Sequence, residues 1–448
     1  MQVSIFSRII FILLCVVLLW APIPLGSNRA WAWGLLQLLI GSAFMLHLAH
    51  SWSANTALFA APRFWPALSP LLLLLLWLTL QSYQLLPSAD AYQSAVMAGK
   101  TLFFILWCSL LLNYCNSHKR IRLLAIMIVI SGALQAFYGV VVQLANIEVS
   151  PVIGISEGSR ARGSFVYQNH FANYLALSLS VAVGLLLSQL SSERTKRSAR
   201  QLLRDVLSTL LSAKMMLRLA MILMVIGLVM SRSRMGNAAF FAALIAVAVL
   251  ALWCYKRPPA LLKPLVLSIL LLDMLLVSSM FGLDKLQQRY QDTSFTSEAR
   301  DEVVRDSLPL LAQHGWTGSG GGTFYTVFPA VQPQPYSGFY DHAHNDYLQF
   351  AIELGLPLTL LLAGWLLWIG WLALQVMRSH EQKLERGLSF AALMALCHMA
   401  LHSSVDFGLQ APANALLFLT ILMLVLICHA QPAKLRRSSA ATSTALER

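Results

Sequence analysis

The chain has 448 residues, of which 58% are hydrophobic and only 11% are charged. This composition excludes a soluble globular domain and predicts an integral membrane protein with many spans. The formal net charge of +13 at pH 7 is attributed to basic residues held on the cytoplasmic side of the membrane. Nucleic-acid binding is not expected, because no basic patch interleaved with aromatic residues is present.

Apolar runs long enough to cross a hydrocarbon layer about 30 Å thick recur along the whole sequence. We therefore predict an all-α polytopic membrane protein with about twelve transmembrane helices. The predicted spans are residues 8–25, 31–50, 66–86, 96–114, 121–145, 165–190, 215–231, 237–255, 262–281, 357–377, 387–404 and 412–430. Most Lys and Arg residues fall on one side if the N-terminus is inside, so both termini are expected to be cytoplasmic.

Two long connections divide the predicted spans. Residues 191–218, within the first nine helices (1–281), are basic with leucines at helical spacing, which predicts an amphipathic segment on anionic lipid at the cytoplasmic face. Residues 282–346 form a long outer loop, with a helix predicted at 297–312.

The end of the chain completes this organisation. Residues 347–430 are predicted to form an interfacial helix and the last three spans, and 431–448 a disordered cytoplasmic tail.

A glycine-rich segment, residues 318–322, lies in the outer loop. No Lys-Ser or Lys-Thr pair follows it, which excludes a nucleotide P-loop. A flexible turn is favoured over a nest of backbone amides that binds an anion.

Four arginines lie at the predicted outer membrane edge, where the topology rule disfavours basic residues. Arg160 and Arg162 precede the sixth span, and Arg232 and Arg234 lie between the seventh and eighth. A guanidinium makes bidentate contacts to phosphate, so the four suit a diphosphate on a membrane lipid. The alternative is that they anchor the protein to lipid headgroups.

The segment 341–348, Asp-His-Ala-His-Asn-Asp-Tyr-Leu, places ionisable groups at the start of the tenth span. His342 and His344 beside two aspartates suggest a metal site, but the familiar helical ligand spacings are missing, so no metal is predicted. Asp346 is predicted to be an N-cap with Gln349 completing a capping box, so that the helix begins at Tyr347.

This assignment leaves His344 in the loop before the helix, exposed and suited to act as a general base near neutral pH. Glu353, in the last turn of the same helix, is expected to orient another group, for example an arginine. Asp406, in the last outer loop, is either a polar partner of the site or a structural cap.

Three elements resemble the O-antigen ligase and O-antigen polymerase superfamily of bacterial membrane glycosyltransferases. Arg160-Ala161-Arg162-Gly163, followed by Tyr167-Gln168-Asn169, resembles the Arg-x-x-Gly element and the Asn-Pro-Asn turn after it. Ser231-Arg232 resembles the Ser-Arg element. His344-Asn345-x-Tyr347-Leu348-x-x-x-x-Glu353-x-Gly355 is similar to the most specific signature of the family.

The resemblance implies an enzyme of the bacterial inner membrane, with the outer loop in the periplasm. It would transfer a glycan from undecaprenyl diphosphate to a sugar hydroxyl, on another glycan or on lipid A core, with inversion and without cofactor or metal. His344 would be the base and Arg160, Arg162, Arg232 and Arg234 would bind diphosphate. The supporting residues would be His342, Asn345, Tyr347, Glu353, Asn169 and Asp406.

Two other functions remain open at this point. A protein O-oligosaccharyltransferase of the same superfamily is disfavoured, because no additional outer domain is present to hold a polypeptide. A twelve-span transporter of polysaccharide or lipid-linked sugar would need polar groups near mid-span, whereas Asp273 is the only acid well inside a predicted span.

Overall fold

The computed structural model describes residues 4–54, 62–152, 154–156, 158–189, 213–255, 263–264, 266–271, 299–333 and 340–431. Within these ranges the chain is helical and contains no β-strand, only the isolated bridges Leu25–Phe165 and Val149–Ser156. The predicted all-α class is confirmed.

Helices α1 to α8 belong to the first part of the chain. They are Ile5–Trp20, Ala30–Ala54, Trp65–Ser82, Ala91–Tyr114, His118–Leu144, Gln168–Ser188, Ala213–Met230 and Arg234–Cys254. Helices α9 to α14 follow the predicted outer loop or lie within it. They are Ala299–His314, Phe324–Val327, Asp346–Leu354, Leu356–Ser379, Lys383–His402 and Pro412–Ala430.

In the described part of the chain, nine helices are long and apolar enough to cross a membrane: α2 to α6, α8 and α12 to α14. The apolar α1 is shorter. Three predicted features lie largely outside the described residues. They are most of the ninth span, which includes Asp273, residues 191–212 of the amphipathic segment, and residues 432–448 of the tail. A polytopic membrane protein is therefore confirmed, while the number of about twelve spans stays a prediction.

Helix α6 occupies the centre of the bundle, where it packs closely against α13. Gly184 of α6 and Gly387 of α13 face each other: a Cβ atom on Gly184 would lie 2.3 Å from the Gly387 carbonyl oxygen. Small residues allow such close approach of two helix backbones in a membrane.

The predicted loop helix is present as α9, which ends two residues later than expected; residues 297–298 lie outside the described residues. It packs on α11 through an apolar cluster that is separate from the bundle core. This cluster includes Val303, Leu310, Phe324 and Ile352. Gly355 separates α11 from α12 with a left-handed φ of +84°. The start of α11 lies at the end of the bundle where α6 begins, which we call the site end. There the Asp346 N–H bonds to the Ser403 carbonyl after α13, and Tyr167, the residue before α6, stacks on Phe407.

Candidate functional site

Helix α11 begins at Asp346, and its N-cap is Asn345, whose side-chain oxygen accepts a hydrogen bond from the Leu348 N–H at 3.1 Å. The prediction that Asp346 is the cap is wrong. Asn and Asp are about equally good caps, and here the Asp346 carboxylate is engaged elsewhere.

That carboxylate holds α11 to the connection between α13 and α14. Its Oδ2 accepts hydrogen bonds from the Ser403 hydroxyl at 3.0 Å and the Leu409 N–H at 3.2 Å. The Asp346 N–H in turn donates to the Ser403 carbonyl at 2.9 Å. Burial raises the pKa of Asp346 to about 7, although these hydrogen bonds oppose the shift. Tyr347 adds a bond from its hydroxyl to the Ala400 carbonyl at 2.7 Å.

Three imidazole rings contact Phe407, which lies in the same connection between α13 and α14. The His342 ring stacks on it at 4.3 Å between centroids, while His344 and His170 meet it edge-on at 4.9 Å. Tyr167 stacks on it at 5.7 Å. Sequence reasoning missed Phe407, because nothing distinguishes a single aromatic residue in a short loop of a membrane protein. We call these five side chains the Phe407 cluster.

Asn169 and Asp406 join this cluster through a buried contact. The Asn169 amide donates to the Asp406 carboxylate and, at 2.8 Å, to the Tyr167 hydroxyl. Asp406 also accepts the Phe407 N–H at 2.8 Å. The structure thus gives Asp406 a polar partner in Asn169, and its role in the site stays a prediction.

His344 lies in the loop just before α11, as predicted, but it is half-buried rather than exposed. Its φ of +51° is left-handed, a conformation that costs a non-glycine residue on the order of 1 kcal/mol. Contacts with Phe407 and, at 6.0 Å between centroids, with Tyr340 accompany this conformation.

His342 is connected through Gln349 to Glu353. The Gln349 amide nitrogen lies 3.1 Å from His342 Nδ1 and donates to Glu353 Oε1 at 3.0 Å. Its oxygen accepts the Ala343 N–H at 3.2 Å. The capping-box role predicted for Gln349 is therefore wrong. Burial lowers the pKa of His342, which favours the neutral imidazole.

The Glu353 carboxylate binds backbone amides of the glycine-rich region. It accepts the Gly322 N–H at 2.9 Å and the Phe324 N–H at 3.2 Å, besides the Gln349 amide. The expectation that Glu353 orients an arginine is not met by these partners. Burial raises its pKa to about 7 against the effect of the hydrogen bonds.

Residues 318–322 contain a turn at 321–322, and hydrogen bonds join this segment to α11 and α3. The Gly320 N–H donates to the Glu353 carbonyl at 3.1 Å and the Gly321 N–H to Gln81 Oε1 at 3.1 Å. At Gly318, with φ +80°, a Cβ atom would lie 2.1 Å from the Glu353 carbonyl oxygen. Two other amides, those of Gly322 and Phe324, bind the Glu353 carboxylate, so the anion held by backbone amides here is the protein's own.

The two arginine segments lie side by side. The Ala161 N–H donates to the Met230 carbonyl at 3.1 Å, which joins the segment before α6 to the turn between α7 and α8. Arg232 has a left-handed φ of +52° in that turn. Arg162 and Arg232 are half-buried, and Arg160 and Arg234 are exposed. Arg162 donates to the Ser156 carbonyl.

Both segments pack on the start of α6. A Cβ atom at Gly163 would lie 2.8 Å from the Phe171 ring, and one at Gly236 would lie 2.9 Å from Ala172 Cβ. Tyr167, the residue before α6, and His170 in its first turn contact Phe407. The structure thus brings the arginine segments and the His344 loop to the same end of the bundle, where both lie near the start of α6.

Residues 219–363 match the family model described as O-antigen ligase. The predicted resemblance is confirmed. The matched segment contains Arg232, Arg234, His344 and Glu353. No curated protein matches the chain.

Proposed function

We propose that the protein transfers a glycan from undecaprenyl diphosphate to a sugar hydroxyl at the periplasmic face of the inner membrane, as an O-antigen or exopolysaccharide ligase or polymerase. The observation that carries this proposal is the position of His344. It lies in a left-handed loop against Phe407, within the O-antigen ligase match. The cluster around Phe407 also contacts α6, on which the arginine segments pack.

In the proposed reaction, His344 accepts the proton of the acceptor hydroxyl as its oxygen attacks the anomeric carbon of the donor sugar. The bond between that carbon and the diphosphate oxygen breaks, and its electron pair leaves with the lipid diphosphate. Attack from the face opposite the leaving group inverts the anomeric centre. The proton then passes from the imidazolium to water.

Arginines take the place of a general acid in this scheme. A diphosphate needs its developing negative charge stabilised rather than protonated, and guanidinium groups supply this through bidentate contacts. Arg160 and Arg232, which match the family elements, are assigned to the diphosphate, with Arg162 and Arg234 beside them. Anionic lipid at the same surface would be their other ligand.

The remaining residues position the base. The hydrogen bonds from Glu353 through Gln349 to His342, and the Asn345 cap, support the loop from one side. Asn169 and Asp406 support the Phe407 cluster from the other. Tyr347 and Asp346 fasten α11 to the end of α13 and the connection after it.

The test of the base is transfer by purified full-length His344→Ala with a lipid-linked donor. Loss of a general base is expected to lower the rate by about 100-fold or more. His429→Ala serves as the matched control, because His429 is exposed near the opposite end of α14. Full transfer by His344→Ala, with the control equally active, would show that the base is another group.

The acceptor is tested by the glycan phenotype of a deletion strain. Lipid A core capped by a single repeat indicates a polymerase, and bare core with long lipid-linked chains indicates a ligase. Normal lipopolysaccharide with loss of capsule indicates exopolysaccharide synthesis.

A further inference from the structure

Lys100 is a basic residue on α4 that none of the arginine elements includes. It lies one turn after Met97, and Met97 packs directly under the glycine-rich segment. A Cβ atom on Gly321 would be 3.3 Å from Met97 Cβ, and one on Gly322 would be 3.1 Å from Met97 Cγ. The Lys100 side chain is half-buried at this level of the bundle.

The ammonium of Lys100 has no close carboxylate partner in the described part of the chain. No oxygen of an Asp or Glu there lies within 4.0 Å of it. The carboxylate nearest along the packing is that of Glu353, because Gly322, against which Met97 packs, donates its N–H to it at 2.9 Å. Removing an ammonium from water without a counter-ion is costly, so a partner is expected.

Glu353 is a poor counter-ion for the Lys100 ammonium. Its carboxylate already accepts three N–H groups, from Gly322, Phe324 and Gln349. Burial also raises the pKa of Glu353 to about 7, so it is only partly ionised at neutral pH. The positive charge of Lys100 is therefore left for a ligand.

The position of Lys100 is also unusual for a membrane protein. It lies within a helix that is apolar enough to span the membrane, toward the end where the site is. That end is the predicted outer side, where basic residues are disfavoured. An ionisable residue in a span is a functional candidate by default.

Its place relative to the arginines indicates which substrate it faces. The contacts run from the arginine segments to α6, to Phe407, to His342, and through Gln349 to Glu353. Lys100, one turn from the Met97 that packs on Gly322, lies at the Glu353 end of this series and the arginines at the other, with His344 against Phe407 between them. If the arginines hold the donor diphosphate, the Lys100 side is left for the acceptor.

We propose that Lys100 is the cation of a second anion-binding subsite, which takes a phosphate or carboxylate group of the acceptor glycan. The inference rests on the proposed function, because the acceptor side is defined by His344 and the arginines. It makes the protein selective for acidic acceptors over neutral ones.

The test is ligand binding, so it does not depend on glycan transfer. Full-length protein in phosphatidylcholine nanodiscs is titrated with glucose 6-phosphate, with glucose as its neutral match, and separately with inorganic diphosphate. Lys100→Met is expected to weaken glucose 6-phosphate binding about tenfold, as loss of a charge-assisted contact does. Diphosphate binding should stay unchanged. Lys100→Arg should bind both glucose 6-phosphate and diphosphate as the wild type does. Lys119→Met removes a lysine at an exposed position and is the matched control.

Arg232→Met should show the opposite pattern, with weaker diphosphate binding and unchanged sugar phosphate binding. The proposal is overturned if Lys100→Met weakens diphosphate instead, which would place Lys100 on the donor. It is also overturned if neither affinity changes, or if the wild type binds glucose 6-phosphate no better than glucose. A thermal melt of Lys100→Met, compared with Lys100→Arg, separates lost binding from lost folding. Failure of the glycan transfer proposal would appear in the His344→Ala assay and not in this one.

Discussion

Side chains at the start of α11 illustrate how neighbouring residues divide their roles. Asn345 and Asp346 are both good caps, and the local sequence does not distinguish them. Asn345 bonds within its own helix, whereas Asp346 reaches Ser403 and Leu409. The choice is therefore made by a segment almost sixty residues away. Glu353 also reaches beyond its own helix, because its carboxylate accepts the Gly322 and Phe324 N–H groups besides the Gln349 amide of α11.

The buried Glu353 should give stability a defined pH dependence. Its pKa rises from 4.5 to about 7 on folding. The fold therefore favours the protonated form, and this contribution is complete below the unfolded pKa and lost as pH rises through about 7. The melting-temperature deficit of Glu353→Gln should be largest near pH 5 and shrink toward about pH 8.

Thermal unfolding in detergent across this range measures that deficit. The exposed Glu381→Gln provides the same chemical change without burial. The pKa of Asp346 is also raised mainly by burial, and only the part that comes from the Glu353 charge is lost in Glu353→Gln. A deficit that grows with pH would mean that the three N–H donors outweigh burial.

At the level of elements, the glycine-rich segment and α11 form one unit. The Ser319 N–H donates to the Ile352 carbonyl at 2.8 Å, and the Leu356 N–H donates to the Gly315 carbonyl at 2.7 Å. Glycine is required at Gly318 because the backbone of α11 leaves no room for a side chain. The composition of the segment predicts a turn or a nest, but only the packed structure identifies the anion as Glu353.

Gly318→Ala tests this unit. The left-handed φ and the 2.1 Å approach to the Glu353 carbonyl should together cost roughly 1–3 kcal/mol. Because the loop that holds His344 depends on α11, glycan transfer should fall with the melting temperature. Gly158→Ala is the control, since its Cβ would meet nothing within 4 Å. Equal melting temperatures for the two variants would contradict a packed glycine segment.

At the level of the whole molecule, α6 connects the site to the bundle. Its first turn contacts the arginine segments and Phe407, and its later turns are buried against α13 and other helices. Gly184 and Gly387 set how closely α6 and α13 approach. The distance between these helices in turn controls where His170 and the connection after α13 are placed.

Gly184→Val should prevent this approach, since even the first carbon of the side chain would lie 2.3 Å from the Gly387 carbonyl oxygen. The expected result is loss of monodisperse folded protein in size-exclusion chromatography. Gly364→Val introduces the same side chain on α12 at an exposed position where nothing lies within 4 Å. Recovery of both variants at the same yield would show that α6 and α13 can separate without loss of the fold.

The sequence alone determined the helical class and the approximate limits of many elements. The predicted span 412–430 coincides with Pro412–Ala430, and the predicted loop helix 297–312 ends two residues before Ala299–His314 does. These features were predictable because hydrophobicity and amphipathic spacing are local properties. The family motif likewise indicated His344 and the arginines as candidates.

Only the tertiary structure decided which side chains meet. Asn169 and Asp406 are 237 residues apart, and Glu353 reaches Gly322 over 31 residues. A hydrogen bond depends on the relative position of two backbones to within about an ångström. Helix periodicity does not carry that information, so the contacts of Phe407 and Gln81 and the surroundings of Lys100 became visible only after the helices were packed.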